Sequence, residues 1–137
     1  MRDQAGSAGR KVSLQMASTT PKKVKAALRE YALGLPGAHE DFPWGERVVK
    51  VNKKVFVFLG TDDGPDIGFS VKLPISGPEV LELPFASPTG YGLGKSGWVT
   101  ILMKPGDVLP IDVLRGWITE SYRAIAPKKL AAQLEGS

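Results

Sequence analysis

The segment Thr89-Gly90-Tyr91-Gly92-Leu93-Gly94-Lys95-Ser96-Gly97 holds the densest chemistry-bearing pattern in the chain. Its end, Gly94-Lys95-Ser96, has the form of a phosphate-binding P-loop, and Gly92, Gly94 and Gly97 fit the dinucleotide spacing G-x-G-x-x-G. Both devices seat phosphate at the N-terminus of a following helix. Here the first P-loop glycine falls on Thr89, and the residues that follow, Trp98–Met103, read as a strand. Both matches are therefore decoys. What survives is a glycine-rich loop with one lysine, either a plain connection or a cradle for a small anion.

The other reactive types are sparse. His39 is the only histidine, beside Glu40 and Asp41, and three successive polar side chains do not share one side of a chain. There is no cysteine, which excludes disulfides, thiolate metal sites and cysteine nucleophiles. No G-x-S-x-G elbow is present to supply a serine nucleophile. Asp62-Asp63-Gly64-Pro65-Asp66 lacks the length and terminal glutamate of a calcium loop and reads as a turn. The expectation is a binding protein rather than an enzyme, with no metal and no cofactor.

The elements that would position these residues follow from periodicity. Residues 1–18, rich in Gly, Ser, Gln and Ala, read as a flexible tail, with Met16 as a second candidate start. Residues 19–137 read as one domain. Thr20 and Pro21 open a helix with Val24, Leu28 and Tyr31 at helical spacing, and Gly34 stops it. An acidic, aromatic loop, His39–Gly45, comes next. Arg47–Val51 and Val55–Leu59 form a hairpin around Asn52-Lys53-Lys54, since Asn tolerates a positive φ. Ile67, Phe69, Val71 and Leu73 alternate with Gly68, Ser70 and Lys72 in a third strand. Four prolines between residues 74 and 88 leave room for one short helix near Glu79–Leu83, and Trp98–Met103 is the fourth strand. Pro110 opens a helix with Leu114, Ile118, Tyr122 and Ile125 on its apolar side, and Pro127 breaks it and opens a last, shorter one.

This order has no βαβ alternation. It predicts an α+β fold, a four-stranded or slightly larger antiparallel sheet with helices packed on one face. At 137 residues, 42% hydrophobic and 23% charged, the chain can bury a core without staples. No stretch approaches the roughly 20 apolar residues of a membrane span, so a cytoplasmic monomer is expected, with no membrane partner.

Charge is uneven along the chain. Residues 19–35 carry four cations against Glu30, whereas residues 61–94 carry Lys72 against five carboxylates. If Val99, Ile101 and Met103 face the helices, Trp98 points to the opposite face, with Lys50 and Lys72 on neighbouring strands. That face would offer charge and a stacking surface. The alternative is that the loop or the tail covers Trp98.

From about Val24 to Leu134 the chain resembles the MmcQ/YjbR family, small proteins of CyaY-like (frataxin-like) fold. The resemblance rests on Tyr31-Ala32-Leu33-Gly34-Leu35-Pro36-Gly37-Ala38, Pro43-Trp44-Gly45-Glu46, the Lys54-Val55-Phe56 hairpin arm and Val71-Lys72-Leu73. It continues through Gly90-Tyr91, Lys95 with Trp98, and Leu114…Ile118-Thr119-Glu120-Ser121-Tyr122. It implies the same fold and a DNA-binding role. The polar run His-x-Asn-Lys-Arg-His-Trp usual in the family is here reduced to Lys95 and Trp98, which implies weaker contacts from this loop.

The expected partner is DNA, held weakly and in a salt-dependent way by Lys50, Lys53, Lys54, Lys72 and Lys95, with Trp98 stacking. The alternatives are a protein-interaction module using the same sheet face, or a small-ligand or anion site between the glycine-rich loop and Phe42-Pro43-Trp44.

Overall fold

The computed structural model describes residues 21–60, 66–90, 92–104 and 109–135. The expected tail, the Thr20 cap, the Asp62–Pro65 turn and Tyr91 lie outside the described residues. The first helix, α1 (Pro21–Leu33), buries Val24, Leu28 and Ala32. It is followed by β1 (Ala38–Asp41), a 3-10 turn (Pro43–Gly45), β2 (Arg47–Val51), β3 (Lys54–Gly60) and β4 (Ile67–Lys72). A short helix α2 (Gly77–Val80), β5 (Ala86–Pro88), a 3-10 turn (Leu93–Ser96) and β6 (Trp98–Met103) lead to α3 (Ile111–Ile125) and α4 (Lys128–Glu135).

The strands form one antiparallel sheet of order β1-β2-β3-β4-β6-β5. The fold class expected from the sequence is the observed one. The four strands read from periodicity form the centre of the sheet, and two short edge strands extend it. Residues 38–41, expected to be loop, pair with 48–51 as β1. Residues 86–88 pair with 99–101 as β5. Neither edge strand alternates apolar with polar residues, so period two had nothing to detect. A proline suits β5 because an edge strand needs no outward N–H.

Both long helices sit on the same face. Phe69 packs on Trp117 of α3, and Phe56 meets Tyr122 edge-on with ring centroids 5.2 Å apart. Glu40, which stands opposite Val49 in the register, reaches Arg29 of α1 on that same side. Between sheet and helices, Leu28, Val57, Val71, Ile101, Leu114 and Ile118 are almost fully buried.

The motif residues 119–122 on α3 act as four anchors. Thr119 Oγ1 bonds the Tyr31 hydroxyl, tying α3 to α1. The Glu120 carboxylate accepts the N–H groups of Ile75 and Ser76 and the Ser76 hydroxyl. Ser121 bonds β3 and β4, and the Tyr122 hydroxyl donates to the Pro36 carbonyl. Four consecutive residues thus fix five separate segments, so this part of the family pattern is architectural.

Candidate nucleic-acid interface

The sheet has a lysine-bearing end. The β2–β3 hairpin turns at Asn52, whose φ of 58° is the left-handed value expected there, and Lys53 and Lys54 stand exposed at its tip. Lys72 closes β4 opposite Trp98, at the same end of the sheet as the tip, and Lys95 lies just beyond, exposed in the 3-10 turn before β6. Asp66, which precedes β4, stands about 20 Å from Lys72 at ~3.3 Å per strand residue. It does not cancel that charge.

A groove of about 840 Å³ opens between the hairpin tip and the corner where α3 meets α4. Lys53 and Lys54 line one wall and Lys128 the other, over an apolar floor of Val51, Ile125, Ala126 and Pro127. Among the described residues, no carboxylate lies within salt-bridge distance of Lys53, Lys54, Lys72, Lys95 or Lys128. Lys128 was not legible as a site residue. It is distant in sequence from the hairpin, and only the turn at Pro127 brings it there.

Two expected contributors stand differently. Lys50 Nζ lies 2.8 Å from Asp41 Oδ2, across the β1–β2 pair. That bond, with the Phe42 N–H, holds the Asp41 carboxyl below its ordinary range. Lys50 is therefore an intramolecular partner rather than a free phosphate ligand. The expectation of a phosphate contact there missed β1, which delivers the carboxylate.

Trp98 faces away from the helices, as strand alternation requires, yet it is only 7% exposed. Its ring reaches across β4 to Phe58 of β3, edge-on at 5.3 Å. Val48 on the same face is fully buried. This face is not a bare platform, and the expectation of an open stacking tryptophan is corrected accordingly. A strip of hydroxyls runs beside the ring, where Thr100 Oγ1 bonds both Ser70 Oγ and Thr89 Oγ1 at 2.9 Å.

The glycine-rich loop has turned four of its amides on itself. The N–H groups of Leu93, Gly94, Lys95 and Gly97 bond the carbonyls of Gly90, Thr89, Gly92 and Gly94. Those four are not available to cradle an anion. Gly97 has φ 92°, and a Cβ on Gly94 would fall 2.8 Å from Pro88 Cβ, so these glycines serve a tight turn. Nor does a pocket join this loop to Phe42-Pro43. The first precedes β6 and the second follows β1, about 19 Å apart across four strand spacings and at opposite ends of the sheet.

At that far end Glu40 is gripped by two arginines. Arg29 Nε and an Nη bond its two carboxylate oxygens at 2.5 and 3.0 Å, and Arg47 Nε lies 2.9 Å away. The hydrogen bonds from Arg29, then the charges of both arginines, hold Glu40 below its ordinary range against the opposing effect of burial. Arg47 also lies over the Phe42 ring, 5.3 Å from its centroid. His39, Glu40 and Asp41 do not converge: Glu40 faces the helices, while Asp41 meets Lys50 on the other face. Among the described residues no cluster of His, Asp and Glu is placed to hold a metal, and no helix is long and apolar enough to cross a membrane.

No curated protein matches the chain. A solved structure does: the crystal structure of Deinococcus radiodurans protein DR2400, a DUF419 domain, superposes with a TM-score of 0.65 at 25% identity. The match covers 85% of this chain and 91% of that one. The family model YjbR matches residues 33–124, more than half the chain, from the end of α1 to the last turn of α3. That span includes the hairpin tip and all four anchors on α3, and the chain belongs to the YjbR family.

Proposed function

We propose that this protein is a non-catalytic DNA-binding protein that holds the phosphate backbone at the lysine end of its sheet. The observation that carries this reading is the groove in which Lys53 and Lys54 face Lys128 with no carboxylate beside them among the described residues. Unpaired cations around a concave surface attract a polyanion and release its counterions on contact. Lys72 and Lys95, at the same end, extend the positive field. Trp98 and Lys50 have no direct part in the contact, since one is packed on Phe58 and the other paired with Asp41.

The test is fluorescence anisotropy of labelled duplex DNA at two salt concentrations. Three to five phosphate contacts predict a log–log salt slope of about −3 to −4.5. The Lys53→Gln/Lys54→Gln double variant should flatten the slope by about 1.8. No binding by the parent at low salt, or an unchanged slope in the double variant, would remove this reading.

A further inference from the structure

We infer that the groove grips one sugar–phosphate strand of DNA and leaves its bases unread, an inference that rests on the DNA-binding reading above. Three features of the groove carry it.

First, among the described residues its cations are all lysines. A lysine ammonium is a compact point charge on a flexible stem and can follow a phosphate chain. It lacks the planar fork with which arginine takes both acceptors of a guanine edge. Second, the floor is apolar, made by buried Val51 with Ile125, Ala126 and Pro127. Such a floor suits the C–H face of a deoxyribose lying between phosphates. A base edge placed there would lose its water and find few partners, because among the described residues Asn52 is the only uncharged polar side chain in the lining. Third, among the described residues no aromatic ring lines the groove. Base recognition in single strands relies on rings on which bases stack. The rings of Trp98, Tyr122 and Trp117 pair instead with Phe58, Phe56 and Phe69. The walls thus take phosphate, the floor takes sugar, and nothing in the lining takes a base.

The experiment uses the full chain and three competitors against a labelled single strand of about 12 nucleotides, within ordinary site sizes. They are an unlabelled mixed-sequence DNA strand, a strand of the same length built from abasic tetrahydrofuran sites, and an inorganic polyphosphate of equal charge. The abasic strand should compete as well as normal DNA to within about threefold, because the phosphates supply the attraction. Polyphosphate should compete several-fold less well than either, since it offers nothing to the apolar floor. The Lys53→Gln/Lys54→Gln variant should weaken both strands by the same factor.

If the abasic strand competes roughly tenfold or more less well than normal DNA, the equivalent of one stacked base, bases are stacked and the inference falls while DNA binding stands. If polyphosphate matches the two strands, the floor plays no part and the inference falls as well. If no single strand binds while labelled duplex does, this inference falls and DNA binding stands; if neither binds, the DNA-binding reading fails first.

Discussion

The Ser121 hydroxyl donates to the carbonyl of Phe56 at 2.5 Å and stands where the β3–β4 ladder is interrupted. These strands pair at Val57 with Val71 and at Phe58 with Ser70, so the next rung would set Phe56 against Lys72. Instead the same hydroxyl accepts the Lys72 N–H at 2.8 Å. A helix side chain has taken over one rung of the sheet, and in doing so it positions the backbone of a lysine at the charged end. Phe56 is the extra residue of a bulge against β2, which turns its ring toward Tyr122.

Ser121→Ala would leave a donor and an acceptor without partners in a site where Ser121 itself has no exposed surface. The expected loss is about 2–6 kcal/mol, the range for two buried groups left unsatisfied. Urea denaturation followed by tryptophan fluorescence reads it directly, and a change below about 0.5 kcal/mol would mean that water replaces the hydroxyl.

Trp98→Ala separates a structural from a ligand-contacting tryptophan. A ring 7% exposed and packed on Phe58 predicts a stability loss of about 3–5 kcal/mol, typical of truncating a buried aromatic. Trp98→Phe should recover most of that stability and bind DNA as the parent does. If Trp98→Phe folds normally yet loses DNA affinity, the ring touches the ligand.

The central strands could be read from the sequence because Ile67, Phe69 and Val71 alternate with Gly68, Ser70 and Lys72, and because Asn52 marks a positive-φ turn. β1 could not, since Ala-His-Glu-Asp has no apolar period; its pairing is stabilised by Glu40 with two arginines and by Asp41 with Lys50. The same omission hid the neutralisation of Lys50. The facing of Trp98 followed from strand parity, but its burial depends on a partner two strands away in space. Lys53 and Lys54 were visible as a basic turn, whereas Lys128 joins them only through the tertiary meeting of hairpin and helix corner.

Acid stability should report the Glu40 cluster. The folded pKa of Glu40 is depressed by Arg29 and then Arg47 below the ordinary value of 4.5. The stability it contributes is therefore fully present above pH 4.5 and lost as pH falls through the lower folded value. Asp41, held low by Lys50, adds a loss in the same direction below its own ordinary value of 3.8. The melting temperature of the parent should drop more steeply below pH 4.5 than that of Glu40→Gln, whose neutral amide cannot titrate. Parallel curves for the two proteins would show that the arginine grip contributes nothing to stability.

The difference between Lys50 and Lys128 makes the sharpest comparison, because net charge cannot account for it. Each substitution to glutamine removes one positive charge from the same domain. Lys128 lines the groove with no carboxylate at hand among the described residues, so Lys128→Gln should reduce the salt slope of DNA binding by about 0.9. Lys50 already holds Asp41 at 2.8 Å, so Lys50→Gln removes no phosphate contact and should leave that slope unchanged. It frees the Asp41 carboxylate instead. Equal slope changes for the two variants would mean that overall charge, not the groove, governs binding. An unchanged slope for Lys128→Gln alone would confine the contact to the hairpin tip.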